Sequence, residues 1–492
     1  MASITAGPEY YTPPPPGASS TAAIEQAASA LLDLHRQVPE LNIYTATSPD
    51  FDTLNRVNDR SITTLPLATI RPTDEDQIAA AVRYISQNGL TLAIRNSGVD
   101  QGGRSRAYGP KDISLDVRSM NKMVLSADRR TVTVDGGVTG GNLLRFLDAH
   151  GLTTPTAFST TVGYVGWACG GGYSSLNGIM GMGVDNILGG RVVLADGRVM
   201  DTDDADCDPD LLWTLRGGGA GIVGVVSSLR VRVHRRPDCL AGLIVFPLEE
   251  TPQIARKLNE LYSWKKPPKF AGDTAVMKGA EGDASLFSYL FHWSLEEDRS
   301  DLEEAKDYLE RISKMGTVIL NTVTETTPYA FLVSIPMPVL YADLVYHKRT
   351  ISVPGWSEEL GRIISEPLPT PTSIIIMHDS HGAGTRASGA ALEENAAFQN
   401  REPHLMFGFI PSAHPDDKEG IKRGRAWADR LFDGVTKAGL AMASHYINFS
   451  TPAKGDGLGY YGPEGIVRIR AVKRRLDPSN LFAKSTPDIA EI

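Results

Sequence analysis

Cysteine is scarce in this chain of 492 residues. Cys169, Cys207 and Cys239 are odd in number and lack metal-like spacing, which excludes a disulfide framework or a thiolate zinc site and marks them as reduced, structural residues. Long apolar runs are also missing, with nowhere 18 uninterrupted apolar residues. The N-terminal MASITAGPEYYTPPPPGASS has neither a basic segment nor an apolar stretch, so the expectation is an unsecreted, cytoplasmic protein with no membrane span. Excess positive charge is absent: 49 basic against 58 acidic side chains give a net charge of −9, which argues against nucleic acid or a membrane surface as partner. The longest basic run, Lys473-Arg474-Arg475, is flanked by apolar residues and followed by Asp477-Pro478, and it reads as a solvated helix end.

Glycine, by contrast, is concentrated. Thr160 to Asn186, TTVGYVGWACGGGYSSLNGIMGMGVDN, holds eight of the chain's 48 glycines in 27 residues. Each costs roughly 0.5–1 kcal/mol relative to alanine but lets backbone N–H groups reach a ligand, so the segment reads as a cradle for a large, flat, phosphate-bearing cofactor. Upstream, a strand over Leu90–Ile94 runs into RNSGVD (Arg95–Asp100), a turn whose N–H groups around Gly98 form an anion nest suited to a pyrophosphate. Neither GxGxxG after the first strand nor glycines followed by Lys-Ser/Thr is present, so the dinucleotide and P-loop readings fail.

Organisation follows from texture. Residues 1–59 read as an extended, proline-rich arm (Pro13–Pro16) and a helix over Ala22–Leu34. Residues 60–235 alternate strands (64–70, 90–94, 113–116, 131–135 and 191–194) with helices over Gln77–Asn88 and Thr139–His150; Gly217–Gly221 leads into a β-rich run at 222–233. Residues 236–439 read as a second domain of strands (242–246, 286–293) and charged helices (295–315, 415–438). The tail, 440–492, offers a strand at YINFS and a helix, too little to stand alone, so it must pack back on an earlier domain.

Four motifs in this order, RPTDEDQIAAAVRYISQNGLTLAIRNSG, the glycine segment ending GVDN, LLWTLRGGGAGIVGVV, and YINF followed by KRRLDPSNLF, resemble the FAD-linked oxidases of the vanillyl-alcohol oxidase class, in the berberine-bridge-enzyme-like branch. The resemblance covers about 60–235 and 440–485; the middle matches loosely, with HDSHGAGTR (His378–Arg386) its most recognisable piece. It implies an α+β protein: a two-lobed PCMH-type FAD-binding domain, a substrate domain whose antiparallel sheet faces the isoalloxazine ring, and a C-terminal segment returning to the FAD domain. It implies FAD contacts from Arg95, Asn96, Ser97, Gly98, Val99 and Asp100, and from Ser159, Thr160, Thr161, Gly163, Gly166, Trp167, Gly170, Gly171, Val184 and Asn186. Gly221, Ile222, Val223, Tyr446 and Asn448 complete that set.

Three departures matter. Val99 stands where the resembling enzymes carry a flavin-linking histidine, and Ser159 where many carry a flavin-linking cysteine; neither can make the bond, so FAD is expected to be held non-covalently. Cys169 reads as a packed residue and not a displaced ligand. Phe449 replaces the second tyrosine of the family's Tyr-x-Asn-Tyr motif and removes its proton acceptor. Candidates for that role are Tyr446, His445, His378, Asp379 and His381, with His404 behind them; the HDSH cluster is favoured because its two imidazoles and carboxylate could point into one pocket. A zinc site from that cluster lacks a third ligand of matching spacing. The expected activity is oxidation of a hydrophobic specialised metabolite, with hydride to flavin N5 and reoxidation by O2. The alternatives are an FAD-retaining cyclase of the Diels-Alder type, and a flavin-free binding module, which would need no glycine-lined site.

Overall fold

A computed structural model describes residues 2–6, 9, 17–100, 109, 111–262, 266–279, 284–335, 343–385, 395–449, 457–485 and 489. The Pro13–Pro16 run and Arg386 lie outside the described residues. The fold is α+β, with two lobes at the N-terminal side and a large antiparallel sheet.

The first lobe is a four-stranded sheet in the order Asn42–Tyr44, Ala68–Arg71, Asp112–Asp116, Thr91–Arg95, with the last three parallel. The helix Glu75–Gln87 crosses between two of these strands; Asp74 caps it by accepting from the Gln77 N–H at 2.9 Å, as the TDEDQ spacing predicts. Its face of Ile78, Ala81, Val82 and Ile85 is fully buried against the sheet. The second lobe is a six-stranded antiparallel sheet in the order Ile4–Thr5, Met123–Leu125, Thr131–Asp135, Val225–Arg232, Ile187–Val193, Val199–Asp201. The N-terminal arm thus contributes an edge strand, and Glu75 joins the lobes through Arg191 at 2.7 Å.

The large antiparallel sheet has eight strands. Its path runs Leu320–Asn321, Cys239–Pro247, Ser285–Ser294, Phe270–Lys278, Ile374–Ser380, His404–Ile410, Arg349–Val353, with Thr324–Thr326 also pairing on Cys239–Pro247. Strand residues alternate between two apolar faces. One set, including Phe246, Phe270, Phe287, Trp293, Ile375 and Met377, forms a core that includes buried residues of the helices Thr251–Tyr262, Glu358–Ile364 and Lys418–Lys437. The other set, including Leu243, Ala275, Leu290, Ile374 and Ile410, faces the two lobes.

The tail differs from expectation in two ways. Tyr446–Phe449 of YINFS is not a strand, Ser450 lying outside the described residues: Phe449 N–H closes a turn on the Tyr446 carbonyl at 3.2 Å. The helix Gly457–Leu476, kinked at Gly462 and Pro463, does return to the second lobe, and its basic run is solvated at Arg474 and Arg475 but not at Lys473. Lys473 is buried and donates to the Ile222 carbonyl and Asp477, both at 2.7 Å, while Arg475 and Arg468 pair with Asp208 and Asp210. All three cysteines are free. No helix among the described residues is long and apolar enough to cross a membrane.

Candidate active site

Between the lobes and the sheet lies a cavity of about 300 Å³. One wall is RNSGVD and the start of the glycine segment. Gly98 adopts φ +73°, a left-handed conformation that an L side chain rarely takes, and it turns the chain so that the N–H groups of Ser97, Gly98 and Val99 find no acceptor among the described residues. Asn96 ties this turn to the Gly136 carbonyl at 2.6 Å, and Ser97 accepts from the Gly163 N–H at 3.1 Å. A methyl group added at Gly166 would meet nothing within 4 Å: this backbone borders open space in the cavity. Exposed N–H groups beside a bare backbone surface fit a flat, anionic group.

Many of the expected cofactor residues line this space. Asn96, Ser97, Gly98, Val99, Asp100, Ser159, Gly163, Gly166, Trp167, Gly221, Tyr446 and Asn448 all do. Thr160 and Thr161 instead border an adjoining cleft, which shares Ser97 with the cavity and includes Thr139 and Arg145. The rest of the set is set back. Arg95 is buried and donates to the Leu54 and Arg56 carbonyls, holding up the turn from behind. A side chain at Gly170 would strike Asn448, and one at Gly171 would strike Phe398 and Tyr446. Val184 packs with Tyr173, Phe398 and Tyr446, and Asn186 donates to the carbonyls of Met180 and Met182 while its Oδ1 accepts from His234 Nε2. Ile222 and Val223 are core residues of the second lobe. Only Gly163 and Gly166 of the segment's glycines reach the cavity; most of the others let protein elements approach one another.

The facing wall is the sheet. Leu243, Ala275, Met277, Leu290, Ile374, Ile376 and Ile410 make it apolar, and Asp273 and His378 interrupt it. Here the expectation for HDSH fails, for a simple reason: the cluster sits on the strand Ile374–Ser380, where neighbours point to opposite faces. His378 borders the cavity, but Asp379 turns away to an ion pair with Lys266, and His381 lies beyond with its Nδ1 3.4 Å from Asp379 and its ring against Gly178. Burial, with Lys266 nearby, holds the His381 pKa well below its ordinary value; burial pulls Lys266 down to about 7, opposed by Asp273.

His378 instead pairs with a residue the sequence reading missed. Asp273, on the neighbouring strand Phe270–Lys278, places Oδ1 3.2 Å from His378 Nδ1. The signal was a lone carboxylate in FAGDTAVMK, a run otherwise nearly free of charge. The His378 ring stacks between aromatic neighbours: Phe158 at 5.0 Å and 16°, Tyr173 at 5.7 Å and 15°, Phe449 at 6.1 Å and 19°.

Of the other candidates, Tyr446 lines the cavity, and its hydroxyl accepts from the Gly172 N–H at 3.3 Å and from Asn448 at 3.0 Å. His445 packs edge-on to Tyr460. His404 directs Nε2 to the Tyr173 hydroxyl at 2.5 Å while Nδ1 meets the Glu402 carbonyl at 2.7 Å. A carbonyl only accepts, so Nδ1 carries the proton and Tyr173 donates to Nε2. Tyr173 therefore offers the cavity its ring. Among the described residues, no group of three His, Cys, Asp or Glu side chains could hold a metal ion.

Known proteins agree with this geometry. Residues 66–203 match a family model described as an FAD binding domain. The FAD-linked oxidoreductase aurO of Gibberella zeae is 35% identical over 459 residues, spanning 92% of this chain and 87% of that protein. The chain belongs to the FAD-linked oxidoreductases, in their berberine-bridge-enzyme-like class. (R)-6-hydroxynicotine oxidase of Paenarthrobacter nicotinovorans is 32% identical over 197 residues, 40% of this chain and 42% of that one. Among solved structures, a variant of berberine bridge enzyme in complex with (S)-reticuline shares the fold with a TM-score of 0.78 at 16% identity, over 93% of this chain and 98% of that one. 6-Hydroxy-D-nicotine oxidase from Arthrobacter nicotinovorans does so with 0.76 at 20% identity, over 90% and 97%. The protein is an FAD-dependent oxidoreductase with a small-molecule substrate. In this FAD-linked oxidoreductase the Ser97–Val99 nest, Gly163 and Gly166 are suited to the cofactor and face the apolar sheet across one cavity.

Proposed function

We propose that this oxidoreductase is an oxidase of a hydrophobic specialised metabolite, that its FAD is bound without a covalent tether, and that His378 is its proton acceptor. The observation that carries this reading is the sheet wall, whose lining residues are apolar apart from Thr274 and the Asp273–His378 pair. The chemistry supplied by bound FAD is acceptance of a hydride at N5, with the electrons then passing to O2 to give hydrogen peroxide. The chain's own residues do the rest.

The face of Leu243, Leu290, Ile374 and Ile410 excludes water and favours a substrate with little polar surface. Val99 and Ser159 border the cavity with no nucleophile able to bond the flavin, so the grip falls to backbone N–H groups and shape. His378 presents the one imidazole on that wall, among the described residues, and takes the substrate proton as the hydride leaves.

Two measurements test the reading. Acid precipitation should leave FAD in the supernatant; a yellow pellet that survives washing refutes the untethered cofactor. Anaerobic mixing with a turned-over substrate should bleach the visible flavin absorption, and air should restore it. Product formed at constant absorbance would mark redox-neutral cyclisation instead.

A further inference from the structure

We infer that Asp273 is the positioning residue of the proton acceptor, fixing His378 in the tautomer whose Nε2 lone pair faces the cavity. The inference rests on the proposed role of His378 and adds to it the group that makes that role possible.

Register puts the two together. The strands Phe270–Lys278 and Ile374–Ser380 run antiparallel with Thr274 opposite Met377 and Ala275 opposite Ile376, so Asp273 stands one step further on, opposite His378. Alternation then gives both side chains the same face, with Ala275 and Met277 on one strand and Ile374 and Ile376 on the other. Asp273 is 4% exposed and the His378 side chain 11%. Oδ1 of Asp273 also accepts the Asp379 backbone N–H at 3.2 Å, so the carboxylate is tied to the strand it serves.

The donor logic follows. A carboxylate accepts and does not donate, so the proton of the neutral imidazole sits on Nδ1 and the in-plane lone pair on Nε2. Phe158, Tyr173 and Phe449 lie nearly parallel to the ring and hold its plane. Tyr173 commits its hydroxyl proton to His404, so it does not compete for Nε2. In the proton step the substrate X–H bond breaks, its electron pair stays on the substrate, and a new N–H bond forms at Nε2. The second N–H of the resulting imidazolium remains on Asp273, whose negative charge offsets the new positive one.

Side-chain 15N labelling of the histidines in the FAD-loaded enzyme, with long-range 1H–15N correlation and assignment by loss of the signal in His378→Asn, reads the tautomer directly. His378 should show a protonated Nδ1 and a bare Nε2. Asp273→Asn can donate from its amide, so it should move the proton to Nε2, and kcat should fall by about 10²-fold or more with KM changed less than about threefold. An unchanged visible spectrum of bound FAD controls for folding. A wild-type His378 protonated at Nε2, or a tautomer indifferent to Asp273→Asn, overturns the inference. Wild-type turnover by His378→Ala overturns the role of His378 itself, and loss of turnover in Asp273→Asn alone would then assign the proton to the carboxylate directly.

Discussion

The Phe449 ring lies over His378, centroids 6.1 Å apart and planes 19° from parallel. On the proposed assignment of His378 as proton acceptor, the residue that deprives the tail of a phenol serves as a wall for the imidazole that takes over its role.

Phe449→Tyr should consequently change kcat by less than about tenfold, since it adds a hydroxyl without touching the Asp273–His378 contact. Phe449→Ala should cost more. An aromatic pair of this kind contributes about 0.5–1.5 kcal/mol, which limits the loss to roughly tenfold if the ring serves only to hold His378. Steady-state kinetics on the two variants decides it. A large gain in Phe449→Tyr would place the acceptor back on the tail.

The glycines separate into two kinds with different failures. Gly166→Ala places a methyl in open cavity, so it should lower FAD content per chain while leaving the apo-protein's melting temperature unchanged. Gly171 has φ +130° and its Cβ would sit 2.6 Å from the Phe398 ring; Gly171→Ala should destabilise the fold by about 1–3 kcal/mol with or without FAD. Flavin absorbance and thermal melts of both variants, apo and loaded, separate the two effects.

How legible this was in the sequence depended on the range of the interaction. Apart from the strand Asn42–Tyr44, the first lobe's elements fall within a few residues of expectation because their signals are local: the Asp74 cap, the 3.6-residue periodicity of Ile78 to Ile85, the Gly98 turn. The strands Phe270–Lys278 and His404–Ile410 were not foreseen, because they are buried on both faces and no polar–apolar alternation marks them. Asp273 and His378 are 105 positions apart and meet only through sheet register. The HDSH grouping, by contrast, was local and misleading, since closeness along a strand puts alternate side chains on opposite faces.

Asp185 of the GVDN motif illustrates the same point. It is buried and held bidentately by Arg401, at 2.7 and 3.0 Å, and it accepts the Met182 N–H at 2.8 Å. The motif is thereby tied to the segment that leads into the strand His404–Ile410 of the eight-stranded sheet. Arg401→Met should leave that carboxylate buried and unpaired and cost about 3–5 kcal/mol, whereas the double variant with Asp185→Asn should recover part of the loss. Urea unfolding of the two variants checks it; equal losses would mean the pair contributes nothing as a pair.

Acid should weaken the fold through its buried histidines. Burial lowers His292 and His404 to about 4, and His234 likewise with Arg232 adding to it. Above the unfolded value near 6.5 both states are neutral and nothing changes. Between about 6.5 and 4 the unfolded chain binds protons that the folded one refuses, so each histidine withdraws stability at about 1.4 kcal/mol per pH unit as pH falls. Asp135 acts in the opposite sense: burial raises it to about 6, so the folded state takes up a proton there and recovers some of the loss below that pH. Neither ring nitrogen of His292 has a hydrogen-bond partner among the described residues, which makes it the cleanest place to intervene. His292→Leu should reduce the pH slope of the urea midpoint, measured at saturating FAD between pH 7.5 and 5, by the share of one proton. A slope unchanged by that substitution would show that His292 titrates alike in the folded and unfolded states.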